Sequence, residues 1–184
     1  VRSDAVGAVV KDALKALEAL CSSPDPDAWP IDSAADAFKR GGTSGKALKT
    51  FKRALKSETC NPQSATAAIR LLLGQGRDVA ALWLFLRLKP GEAQRRATAP
   101  LVQGLAELKS KILFRWLLWR RREVLARDAA AWGQAGYALS IFGRMKEVAR
   151  WLADWRSRPE VQPWMLFNFC LALRHLGRYE EATT

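Results

Sequence analysis

The chain holds one histidine, His175, and three cysteines, Cys21, Cys60 and Cys170, at no metal-type spacing. Those scarcities argue against a zinc site, which needs several such ligands brought together. A lone histidine with no patterned nucleophile beside it offers no acid–base constellation either. An odd number of cysteines argues against a disulfide framework and leaves small, reduced thiols inside helices as the expectation. Long apolar runs are missing as well. The most apolar window, Leu71 to Leu88, is broken by Gly74, Gly76, Arg77 and Asp78, whereas a membrane-spanning helix needs ~20 apolar residues in a row. β-branched residues are sparse beside Ala and Leu, which favours helix over strand. Acidic residues are scarce too: 18 against 30 basic ones, a net charge of +12 and an isoelectric point near 10.2. That imbalance attracts polyanions as a class, whether nucleic acid, anionic lipid or acidic protein.

What the sequence does contain is a period. Gly42, Gly76, Gly143 and Gly177 stand 34, 67 and 34 residues apart, and 67 is one short of twice 34. Five residues further on, Ala47, Ala81, Phe114, Val148 and Ala182 keep the same beat, as do Phe51, Phe85, Leu118 and Leu152 four residues after those. A period near 34 made of helical segments predicts paired helices stacked in an array. The repeats read as 28–61, 62–94, 95–128, 129–162 and an incomplete 163–184. Each has two helices joined by a glycine turn, because Gly adopts positive φ at little cost. Repeat 95–128 breaks the rule, with Lys109 or Ser110 where Gly is expected. Within it, Arg115-Trp116-Leu117 matches Arg150-Trp151-Leu152 at a spacing of 35, which predicts a shift of one residue. Ahead of the repeats, Val6, Val9, Val10, Ala13, Leu14, Leu17 and Leu20 follow helical spacing, with Ser3 or Asp4 as cap. Pro24 and Pro26, with Asp25 and Asp27, end that helix, so residues 1–23 are expected to form a separate capping helix. Pro62, Pro100, Pro159 and Pro163 are expected at helix starts or turns between repeats. No initiator Met, no signal-peptide pattern and a repeat that stops half-way give the expectation of a fragment of a longer cytoplasmic protein.

These repeats resemble tetratricopeptide repeats. Trp132-Gly133-Gln134-Ala135-Gly136-Tyr137-Ala138-Leu139 carries that family's Trp and Gly, and Phe142-Gly143-Arg144 its turn. Leu176-Gly177-Arg178-Tyr179-Glu180-Glu181-Ala182 is similar to its turn and second-helix start. Gly45-Lys46-Ala47-Leu48-Lys49-Thr50-Phe51-Lys52-Arg53-Ala54-Leu55 is similar to its second helix. The likeness covers 28–184 in outline, with Phe114, Val148 and Cys170 departing from the family's small residues. It implies an all-α fold, a right-handed α-solenoid of antiparallel helix hairpins with an extra N-terminal helix. It also implies a groove lined by first helices: Trp29, Lys39, Arg40, Arg70, Gln103, Gln134, Tyr137, Trp164, Asn168 and Arg174. That set suits an extended peptide with acidic or carboxylate groups, though it lacks the lysine–asparagine–arginine clamp by which some members hold chaperone tails.

Three further features carry competing readings. Gly41-Gly42-Thr43-Ser44-Gly45-Lys46 suggests a phosphate loop, but the motif's first Gly falls on Arg40 and its Ser/Thr on Ala47, and no strand precedes it. The same residues fit a turn between paired helices. Of the eight tryptophans, Trp83, Trp116, Trp132 and Trp151 are expected in the core, as is Trp119 from its helical context. Trp29 and Trp164 are the candidates for ligand contact. Basic residues gather in two clusters. One holds Lys39, Arg40, Lys46, Lys49, Lys52, Arg53 and Lys56, with no acid between 37 and 57; the other holds Arg115, Arg120, Arg121, Arg122 and Arg127, with Lys109 and Lys111. Either they form a solvated face or they bind an anionic partner. The sequence therefore predicts a protein that is not an enzyme, uses no cofactor or metal, and binds a protein or peptide through the groove. The alternatives are an RNA- or DNA-binding module using the basic patches, and the regulatory arm of a larger enzyme.

Overall fold

A computed structural model describes residues 2–23, 29–56 and 61–183. All regular structure among them is helical: eleven α-helices and a single 3-10 turn, with no strand. The chain divides into two compact units, Val1–Ala97 and Thr98–Thr184.

The first unit holds α1 (Arg2–Ser22), α2 (Trp29–Arg40), α3 (Ser44–Ala54), α4 (Gln63–Gly74) and α5 (Asp78–Arg87). Its centre is α4, which packs against α2, α3 and α5. Ten of its twelve residues are buried, leaving Arg70 and Gly74 at the surface. The Asn61 side chain accepts a hydrogen bond from the Gln63 N–H at 2.9 Å and so caps the first turn. Helix α1 does not stand apart. It packs against α2 and α3, buries Leu17 and Cys21, and its Cys21 carbonyl accepts from the Asn61 N–H at 2.8 Å. The helix is already under way at Arg2, and the side chains of Ser3 and Asp4 lie outside what is described.

Helix α6 (Glu92–Glu107) runs through the division between the units. Pro100 lies inside this helix rather than at its start. A proline there has no N–H to give the carbonyl one turn earlier. The second unit continues with α7 (Lys111–Arg120), α8 (Arg122–Arg127), α9 (Ala129–Ile141) and α10 (Met145–Trp151). The 3-10 turn Trp155–Ser157 and α11 (Pro163–His175) complete it. Helix α9 packs against α8, α10 and α11, and α10 packs against α11. Asp128 caps α9 by accepting from the Ala131 N–H at 2.8 Å, and Pro163 opens α11, where its missing N–H costs nothing. The break at Arg121 splits what the sequence suggested as one helix into α7 and α8.

Five connections share one geometry. In each, a residue with positive φ donates to the carbonyl three residues back, and the next residue donates to the carbonyl five residues before itself. Gly42 and Thr43 do this to Lys39 and Phe38; Gly76 and Arg77 to Leu73 and Leu72; Gly143 and Arg144 to Ser140 and Leu139; Gly177 and Arg178 to Arg174 and Leu173. This double bond is the Schellman end, which satisfies two orphan carbonyls at once. The fifth member has no glycine: Lys109, at φ 55°, and Ser110 donate to Ala106 and Leu105. The turn persists at the residue that breaks the sequence rule.

The buried faces follow the same beat. Ala47, Ala81, Phe114 and Val148 are buried, as are Phe51, Phe85 and Leu152. In the α7 repeat it is Leu117, not Leu118, that is fully buried. That is the one-residue shift the spacing of 35 predicts. Close approach between helices in the second unit comes from first-helix glycines. A Cβ on Gly133 would stand 2.6 Å from Met165 Cε, and one on Gly136 would stand 2.7 Å from a Leu152 methyl.

Candidate functional site

Three of the first-helix candidates in the first unit share one pair of packed helices. Lys39 and Arg40 end α2 and are exposed; Arg70 is exposed on α4. Arg70 already holds a partner, Asp32, at 3.2 Å, and Gln63 Nε2 donates to the same carboxylate at 2.9 Å. Lys39 lays its chain beside Gly74, whose missing side chain leaves room for it. The Trp29 side chain lies outside the described residues.

In the second unit, α9 and α11 place Gln134 and Tyr137 on one helix and Trp164, Asn168 and Arg174 on its neighbour. Gln134 and Tyr137 are half-buried, and Gln134 Oε1 is buried without a hydrogen-bond donor among the described residues. Trp164 and Arg174 are exposed. Asn168 is buried and its amide donates to the Trp164 carbonyl at 3.0 Å, which leaves little of it for a partner. Gln103 is exposed on α6 and donates to Glu107 at 2.8 Å. Phe167, exposed on α11, escaped the sequence reading, although its place one turn beyond Trp164 was the available signal.

The second helices carry the stronger chemistry. Lys46, Lys49, Lys52 and Arg53 are all exposed on α3. Arg53 pairs with Glu18 of α1 at 2.8 Å, and Lys46, Lys49 and Arg53 border a depression of about 450 Å³ shared with Val10, Leu14 and Lys15. The remaining cation, Lys52, turns to a larger groove along α5. That groove, of about 800 Å³, is lined by Lys52, Leu55 and Lys56 and by residues from Arg77 to Leu88. Trp83, expected in the core, is instead 59% exposed there, with the Arg87 guanidinium 5.8 Å from its ring centre.

Helix α7 corrects the same expectation twice. Trp116 is 39% exposed and Trp119 76%, beside Ile112 at 83%. Arg115, Arg120 and Arg122 are exposed around them, while Arg121 is half-buried at the break between α7 and α8. A helix face needs apolar residues only where it meets its own core. Phe114 and Leu117 fill that role in α7, and the tryptophans lie off that stripe.

Trp132 and Trp151 are structural. Each indole N–H donates to the other's backbone carbonyl, at 3.0 and 2.9 Å. Arg158 lies over the Trp132 ring at 4.5 Å, donates to the Ala126 carbonyl at 2.6 Å and pairs with Asp154 at 2.6 Å. Arg122 covers Trp151 at 5.7 Å. The Gly41–Lys46 segment is the turn from α2 into α3, with a helix before it, as the helix-turn reading requires. His175 is exposed at the end of α11; Cys21 is buried and Cys170 half-buried, and Cys60 lies outside the described residues. Among the described residues no cluster of His, Cys, Asp or Glu is arranged for a metal, and no helix is long and apolar enough to cross a membrane. Comparison with protein-family models and with curated proteins returns no match.

Proposed function

We propose that this chain is a non-catalytic binding scaffold of the tetratricopeptide kind, built as a solenoid of antiparallel helix hairpins and working in the cytoplasm. The observation that supports it is the recurrence of one hydrogen-bonded turn at Gly42, Gly76, Lys109, Gly143 and Gly177. Where the chain reverses the same way at a fixed interval, similar units cover one another's apolar faces and leave a long surface for a partner. The partner is an acidic protein segment; α9 offers it Tyr137, and α11 offers Trp164 together with Phe167 and Arg174, which border a depression shared with Tyr179. The test is selection of acidic peptides from a displayed library. Selected peptides are expected to lose binding to Tyr137→Ala and Arg174→Glu while keeping it for Arg120→Glu/Arg122→Glu. Failure to enrich any peptide would remove this reading.

A second reading has its own support. Trp116 and Trp119 stand exposed among Arg115, Arg120 and Arg122, and aromatic side chains interleaved with cations stack the bases of single strands. A twelve-nucleotide oligouridine should then bind, and its affinity should fall steeply with salt. Trp119→Ala and Arg120→Glu should each weaken it. Retention of oligouridine only through these residues, with no peptide selected, would put nucleic acid in place of protein.

A further inference from the structure

We propose that the groove along α5 receives an acidic amphipathic helix from a partner protein. This deepens the scaffold reading and rests on it, but uses second helices of the first unit instead of α9 and α11. The groove has two chemistries side by side. Leu55, Val79, Trp83, Leu84 and Leu88 supply apolar lining; Lys52, Lys56, Arg77 and Arg87 supply charge. Asp78 is the single acid among the described residues of the lining, and its carboxylate accepts from the Val79 N–H at the start of α5.

The four cations share with Lys46, Lys49, Arg115 and Arg120 the lack of an ion pair among the described residues; what sets them apart is the apolar lining beside them. Arg53, Arg70, Arg95, Arg96, Arg144, Arg158 and Arg178 each pair with a carboxylate of this chain. Among the described residues none of Lys52, Lys56, Arg77 and Arg87 joins such a pair. Their charge has no carboxylate partner among the described residues, and carboxylates on a ligand rim complement it. The apolar lining selects among anions. Desolvating Leu55, Val79, Leu84 and Leu88 rewards a ligand with aliphatic or aromatic side chains. An oligonucleotide offers none of these, and the single indole, already attended by Arg87, provides too small a platform for a run of bases. A ten-residue helix is about 15 Å long, so three turns of ligand with anchors at i, i+3 or i+4, and i+7 match the length of α5.

The outward face of α5 is also not an isolated event. Val79, Trp83 and Arg87 recur 33 residues later as Ile112, Trp116 and Arg120 on α7, again exposed. The pattern aliphatic–tryptophan–arginine at every fourth residue thus marks the solvent face of a second helix in each unit.

The experiment uses the whole chain and three fluorescent probes in anisotropy titrations. They are a fourteen-residue peptide with leucines at helical spacing and glutamates elsewhere, its scrambled isomer, and a twelve-nucleotide oligouridine. The helical peptide is expected to bind in the micromolar range and at least about tenfold more tightly than the scrambled one, as anchors in a pocket require. Trp83→Ser and Arg87→Glu should each weaken it by about tenfold, and Lys52→Glu, across the groove, should do the same. All three sites are exposed, so the variants should keep the helical circular dichroism of the parent. Equal binding of helical and scrambled peptides, tighter binding of oligouridine, or unchanged affinity in all three variants would overturn the proposal. Loss of peptide binding in Tyr137→Ala and Arg174→Glu with none in Trp83→Ser would also overturn it while leaving the scaffold reading standing.

Discussion

At the scale of single residues, the most telling position is Lys109. It occupies a conformation that glycine holds in the four sister turns, at φ 55° against 67–74°. A side chain there costs about 1 kcal/mol or more, partly offset because glycine loses more freedom on folding. Lys109→Gly should therefore stabilise the protein by about 0.5–1 kcal/mol in urea unfolding. Gly143→Ala should cost about 1 kcal/mol, although no neighbour lies within 4 Å of the added Cβ. Equal effects of the two changes would refute the conformational argument.

Glu92, at the start of α6, gives a second residue-level expectation. Hydrogen bonds from Arg95 and then Arg96 hold its carboxyl at about 2, well below the ordinary value of 4.5. A depressed folded value means that the pairing helps stability above pH 4.5 and is lost as the pH falls toward 2. The side chain is 40% exposed, so solvent screening limits the gain to about 0.3–0.5 kcal/mol. Titration of Glu92 by NMR should show the low value, and Arg95→Gln with Arg96→Gln should return it toward the ordinary range. An unchanged titration in that double variant would refute the cause given.

At the scale of elements, α9 and α10 are joined by the two indole-to-carbonyl bonds of Trp132 and Trp151. Trp151→Phe keeps an aromatic ring and removes one donor, so its cost should be about 1 kcal/mol. Trp132→Phe leaves an unfilled space in the core, since Trp132 is fully buried under Arg158, and should cost more, about 2–3 kcal/mol. Thermal unfolding of the pair checks the order. Gly136 works at this scale too: an alanine would press into Leu152 and cost about 1–3 kcal/mol by overpacking.

Helix positions were legible because their signals are local. The glycine beat located the Schellman turns, and the helical spacing of Ala81 and Phe85 located the buried face of α5. The spacing of 35 between Leu117 and Leu152 revealed the shifted register of α7 in advance. Pro100 misled because proline's penalty is local while burial of Leu101, Val102 and Leu105 around it favours continuing the helix. The tryptophans misled for a related reason. Large apolar residues usually fill cores, yet the stripe available on α5 and α7 was already occupied by Ala81, Leu82 and Phe85 and by Phe114 and Leu117.

For the whole molecule, net charge is the long-range property and pairing the short-range one. A charge of +12 draws any polyanion toward the surface, with binding that weakens as salt rises. Which cations remain free after internal pairing decides where an anion settles. Those in the α5 groove are unpaired among the described residues, as are Lys46, Lys49, Arg115 and Arg120, whereas Arg53 and Arg70 pair with Glu18 and Asp32; the apolar lining beside the α5 cations is what then discriminates.

The sequence by itself determined the helical class, the turns and their interval, because glycine conformation, helix spacing and apolar periodicity act over a few residues. Only the tertiary structure decided that Trp83, Trp116 and Trp119 face solvent, that Asn168 does not, and that Lys52 and Arg87 border one apolar groove. Exposure and charge pairing depend on which helix faces pack together, and that is fixed by contacts between segments far apart in the chain.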